Sequence, residues 1–135
     1  MKFASALVAA LMLSLSAGPG HAAADGDAAK GKKQYNRCKS CHSVKEGKNK
    51  IGPSLFGVVD RAAGGAPGYK YSSAIKAAAK KGLKWDEANL SKYLNNPTAF
   101  LKDYLGQSSI RNKMRNKYRK ESLRKNIIAY LKTVK

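Results

Sequence analysis

Hydrophobic residues near the end of the chain recur at the spacing of an α-helix. Leu123, Ile127, Tyr130, Leu131 and Val134 lie three or four positions apart, the stripe of a helix expected from about Glu121 to Val134. Leu90, Tyr93 and Leu94 make a shorter stripe behind Asp86, a residue suited to cap the helix start. Asn96-Pro97 ends that helix and opens another, which runs to about Leu105 and stops at Gly106. Ser72 to Lys81 reads as a short helix with Ser72 as its cap and Gly82 as its stop. Upstream, Asp25 or Asp27 can cap a helix reaching about Cys41, with Gly31 and Tyr35 spaced to share a face. The stretch from Gly47 to Tyr71 holds Gly52-Pro53, Gly64-Gly65 and Pro67-Gly68 and reads as loop. No segment makes a convincing strand. The expected class is all-α, with four to five helices and long loops.

The first residues follow a different pattern. Phe3 to Leu15 is apolar, Lys2 stands ahead of it, and Ala22-Ala23-Ala24 precedes the polar Asp25. This is the layout of a secretory signal peptide over residues 1–24, cleaved after Ala22 or Ala24 to leave one domain over 25–135. The alternative is an uncleaved anchor, but the apolar run falls short of the roughly 20 residues a membrane-spanning helix needs. The mature product is expected to be soluble, exported and periplasmic.

Charge narrows the partners. Lys and Arg number 27 against 8 Asp and Glu, for a formal net charge of +19. Such a chain suits nucleic acid, an anionic membrane surface or the acidic face of another protein. Export argues against nucleic acid.

The two cysteines, Cys38 and Cys41, carry the chemistry. A disulfide closing so short a loop would constrain the unfolded chain little. On a helical turn, positions i, i+3 and i+4 share a face, so Cys38, Cys41 and His42 would project together. Two thiols one turn apart can add to the two vinyl groups of a haem, and the next imidazole can ligate its iron. Cys-x-x-Cys-His is the attachment signature of c-type haem. A thioredoxin-like dithiol would need a strand–helix unit that is not seen, and a zinc site would need further Cys or His ligands. Without residues 1–24, His42 is the only histidine and Met114 the only methionine. Met114 sits in a polar, Lys-rich segment, which makes it a better second axial ligand than core filler.

With those residues placed, the chain from about Gly26 to Lys135 resembles the class I cytochrome c family, mitochondrial cytochrome c and its soluble bacterial relatives with longer loops. Gly31-Lys32-Lys33, Gly52-Pro53, Arg61, Ala66-Pro67-Gly68-Tyr69, Trp85, Tyr93-Leu94, Asn96-Pro97, Lys113-Met114 and Ile128-Ala129-Tyr130-Leu131 stand in family order. The resemblance implies a small cytochrome c fold around one haem c, attached through Cys38 and Cys41. It implies that the Pro53 carbonyl accepts the Nδ1 hydrogen of His42. It implies further that Tyr71 and Trp85 bond a haem propionate with Arg61 nearby, and that Tyr93 sits near the Met114 sulfur. Gly31 would lie where the first and last helices cross. The chain departs from the pattern at Asn116 (usually Phe), at Ile75 (where a cavity Asn is usual) and at Asn112, a haem-side position where Thr is usual.

The implied function is outer-sphere transfer of single electrons, not enzymatic turnover. A peroxidase-like activity is the alternative, if Met114 leaves the iron. A basic binding protein with a purely structural haem is another. The implied partners are acidic faces of a bc-type quinol–cytochrome c reductase and of a terminal oxidase or other acceptor, met as a monomer. From Arg111 to Arg119 every second residue is basic, so an extended loop would turn Asn112, Met114, Asn116 and Tyr118 to the haem and the cations outward.

Overall fold

The computed structural model describes residues 26–135; the expected signal peptide lies outside the described residues. Five α-helices follow in order: α1 (Ala28–Gln34), α2 (Ser73–Lys80), α3 (Glu87–Asn95), α4 (Pro97–Leu105) and α5 (Glu121–Lys132). Four of them start on the polar side chains the sequence offers. Asp27, Ser72, Asp86 and Asn96 accept from the backbone N–H of Lys30, Ile75, Asn89 and Ala99 respectively. Each bond satisfies a donor that the first turn would leave unpaired. Gly106 closes α4 at φ 64°, a conformation that costs a residue without a β-carbon nothing.

α1 crosses α5, α2 packs on α4, and α3 packs on both α4 and α5. The crossing is tight at Gly31, where a β-carbon would fall 1.9 Å from the Asn126 carbonyl oxygen. Asp27 N–H also donates to Asn126 Oδ1 at 2.8 Å. Tyr35 is buried beside Tyr130, with ring centroids 5.5 Å apart. On α5, Ile127, Ile128 and Leu131 are buried, while Leu123, Tyr130 and Val134 are half-covered. Ile128 thus joins the expected stripe.

The first helix is shorter than its pattern suggests. α1 ends at Gln34, and a 3₁₀ turn, Tyr35–Arg37, follows. Cys38 N–H bonds the carbonyl of Tyr35, an i→i+3 closure that tightens the chain as Tyr35 turns inward. Among the described residues there is no strand; Ala62 and Lys84 form a lone antiparallel bridge. No described helix is long and apolar enough to cross a membrane.

Candidate functional site

Helix α1 and its 3₁₀ extension deliver Cys38, Cys41 and His42 to one turn. The N–H groups of Cys41 and His42 both bond the Cys38 carbonyl, at 3.1 and 2.8 Å, so the i, i+3, i+4 geometry survives although the helix does not. Both thiols are free; Cys38 is buried and Cys41 half-buried. Burial pushes the Cys38 thiol pKa up. Among the described residues no group of three or more His, Cys, Asp or Glu is placed to hold a metal, so the thiols lack partners for a zinc site.

His42 is held from several sides. Its Nδ1 lies 2.8 Å from the Pro53 carbonyl oxygen, its own carbonyl accepts from the Tyr35 hydroxyl, and Gly52 N–H donates to the Cys41 carbonyl. A hydrogen shared with a carbonyl must sit on Nδ1, which leaves the lone pair on Nε2. Burial holds the imidazole below its ordinary pKa, against an opposing pull from the Pro53 carbonyl. A neutral ring with Nε2 unprotonated is the form that ligates metal.

Met114 comes from a segment without helix. In it Asn112, Met114 and Tyr118 are half-buried, and Arg111, Lys113, Arg115, Lys117 and Arg119 are exposed, as the alternation predicts. Asn116 is more exposed than the other three, yet it lines the same cavity. Asn112 Nδ2 donates to the Met114 carbonyl at 2.8 Å, and the Tyr93 hydroxyl meets Asn112 Oδ1 at 3.5 Å. Tyr93 therefore reaches Met114 through Asn112. Burial pushes the Tyr93 hydroxyl up to about 12, with the Asn112 bond opposing.

One cavity unites these groups. Its empty volume is about 1220 Å³, open mouth included, and all ten residues expected at the site line it. Buried Trp85 packs on the Tyr93 ring at 4.8 Å, and Ile75 stands on the wall where the family usually has Asn. Arg61 donates from Nη1 to the Phe56 carbonyl and from Nη2 to the Ser54 carbonyl, while its buried Nε has no partner. The Tyr71 hydroxyl accepts from Ala66 N–H, which leaves its own proton free to donate. A half-buried guanidinium with a buried, orphaned Nε donor calls for an anion. Two thiols, a neutral imidazole, a thioether and that cation fit a flat iron macrocycle bearing vinyl groups and carboxylates.

The sequence model of the cytochrome c family matches residues 28–135. The chain belongs to the cytochrome c family. It is 47% identical over 111 residues to cytochrome c-550 of Novispirillum itersonii, covering 82% of this chain and all of that one. It is 40% identical over 130 residues to cytochrome c2 of Rhodospirillum rubrum, covering 96% of each. Among solved structures it resembles cytochrome c2 from Rhodospirillum centenum with a TM-score of 0.77 at 41% identity, covering 81% of this chain and 98% of that one. The helices form the cytochrome c fold, and the cofactor is haem c, bound covalently through Cys38 and Cys41. Electron carriage is the work of this family.

Further contacts complete the cytochrome site. Gly52 leaves no room for a β-carbon, which would fall 2.4 Å from His42 Cε1. Asn49 ties two loops by accepting from Ser54 N–H and donating to the Pro67 carbonyl. Tyr118 lines the cavity; burial raises its hydroxyl pKa, with the neighbouring Asn116 side chain opposing.

Proposed function

We propose that this cytochrome is a soluble periplasmic carrier of one electron, with His42 and Met114 as the axial ligands of its haem iron. The observation that carries the reading is the His42–Pro53 bond beside a cavity that Met114 also lines. Haem supplies an iron that changes valence while keeping both ligands. The chain's own residues do the rest. Pro53 fixes the ring nitrogen that faces the metal, and Asn112 steadies the backbone at Met114. Arg61 offsets propionate charge with its unpaired Nε, beside Tyr71 and Trp85. The ring cluster of buried Trp85 with half-buried Tyr93 and Phe100 presents apolar surface that limits water on that side of the cavity.

The exposed cations from Arg111 to Arg119 lie along the segment that edges the cavity. They suit the acidic docking face of a bc-type quinol–cytochrome c reductase, of a terminal oxidase or of another acceptor, approached by a monomer. The same charge suits an anionic membrane surface. Function on this reading is transfer rather than turnover, because His42 and Met114 would together leave the bound iron no open position.

Spectra of the purified protein, oxidised and reduced, test the assignment. A sulfur–iron charge-transfer band in the oxidised form, reversible reduction, and haem that resists acid–organic extraction are expected. Extractable haem would sink covalent attachment, and a missing band would sink Met114 as ligand.

A further inference from the structure

Residues 107–120 contain no helix, so the position of Met114 depends on side chains that reach the segment from elsewhere. One helix, α3, supplies an anchor on each side of it. Upstream, Tyr93 meets Asn112, two residues before Met114. Downstream, the Leu94 carbonyl, one of the groups a helix end leaves unpaired, accepts from Tyr118 N–H at 2.8 Å.

Arg124 on α5 ties this downstream anchor down. Its Nε donates to Ser91 Oγ on α3 at 3.1 Å. Its Nη1 donates to the carbonyls of Tyr118 at 2.9 Å and Arg119 at 2.6 Å, with Asn95 Oδ1 marginal at 3.4 Å. Nη1 has two protons, and the two nearer carbonyls take them. These acceptors are all neutral, and Arg119, Lys120 and Lys125 stand close by in sequence. Glu121, three residues earlier on α5, attracts the guanidinium, but that attraction alone does not tie it to the loop. Its forked geometry does, by reaching a helix and a loop at once, which the single ammonium of a lysine cannot copy.

We propose that Arg124 is a positioning residue for Met114, a clamp that sets how often the sulfur is within bonding distance of the iron. This rests on the ligand reading given above. A neutral thioether has no charge to hold it on the metal, so the segment's position decides its occupancy. The clamp grips the backbone at Tyr118, four residues beyond Met114, while Arg124 itself lies outside the cavity.

The test uses the haem-loaded protein and imidazole as the competing ligand, titrated at fixed neutral pH while the sulfur–iron band is followed. In Arg124→Lys imidazole binds about tenfold more tightly, because the open fraction rises by that factor. The Tyr118 amide exchanges its hydrogen faster by a similar factor. Ser91→Ala, which removes one acceptor, moves the affinity the same way by less, and decides alone if Arg124→Lys does not fold. Ile128→Val trims a buried side chain on the same helix away from the cavity, and it lowers global stability without changing imidazole affinity. Unchanged affinity in the Arg124 and Ser91 variants, or equal tightening in Ile128→Val, overturns the clamp. A native protein with no sulfur–iron band overturns the ligand assignment, and the clamp with it.

Discussion

The backbone of Gly52 lies flat against the imidazole of His42. A β-carbon there would stand 2.4 Å from Cε1 and 2.7 Å from Nδ1. Gly52→Ala must therefore push either the ring away from the Pro53 carbonyl or the Gly52-Pro53 segment outward. Overpacking of this kind costs about 1–3 kcal/mol. Guanidinium unfolding of the haem-loaded protein should show that loss, with a shift in potential as the ring turns. A variant with native stability and native potential would mean that the contact yields easily.

Gly31 makes the same kind of demand on backbone. Its absent β-carbon would overlap the Asn126 carbonyl oxygen at 1.9 Å and approach Tyr130 Cβ at 2.9 Å. Gly31→Ala gains some helix propensity, but it has to separate α1 from α5. A net loss of about 3 kcal/mol is expected. Thermal unfolding checks the sign, since a gain would mean that propensity outweighs the crossing.

Tyr93 gives the protein an alkaline limit. Its hydroxyl titrates at about 12 in the fold against 10.0 in the open chain, burial being the main cause. Between those values the unfolded chain has released a proton that the folded one keeps, so stability falls as pH rises through this window. A shift of this size amounts to roughly 2–3 kcal/mol at full effect. Tyr35 is also raised to about 12 and adds to the slope. The difference between the native protein and Tyr93→Phe is therefore the quantity to measure. Unfolding free energies at pH 9 to 12 should fall less steeply in the variant, and identical slopes would acquit Tyr93.

The cations from Arg111 to Arg119 should show in kinetics. Their field reaches about 30 Å at 0.01 M salt and about 8 Å at 0.15 M. Association with an acidic redox protein should slow at least tenfold over that range. Lys113 is partly occupied, since its ammonium bonds the Lys70 carbonyl and sits 5.1 Å from the Tyr69 ring centre. Lys117→Gln should flatten the salt dependence more than Lys113→Gln. Rates indifferent to salt would remove this edge as the docking face.

How much of this was legible depends on where each signal is written. Asp27, Ser72, Asp86 and Asn96 announce helix starts because a cap is a residue type at a fixed offset. The attachment turn was legible for the same reason, since Cys38, Cys41 and His42 are adjacent in sequence. The break after Gln34 was not, because Tyr35 turns inward to meet Tyr130, a partner 95 positions away. Arg124 was invisible because two of its acceptors are main-chain carbonyls, which every residue has. Gly52 could have been suspected from its place before Pro53, but only the nearby ring shows why a side chain is refused.

The crossing of α1 and α5 also orders events in time. Asp27 and Asn126 are 99 positions apart, so their bond cannot form until nearly the whole chain exists. A chain made from its N-terminus presents Cys38, Cys41 and His42 long before α5 is available to pack beside them. During that interval Cys38, buried in the finished fold with its thiol pKa raised, is an open and more easily ionised nucleophile. The fold thus leaves an early period in which the attachment thiols are open, and the last helix closes it.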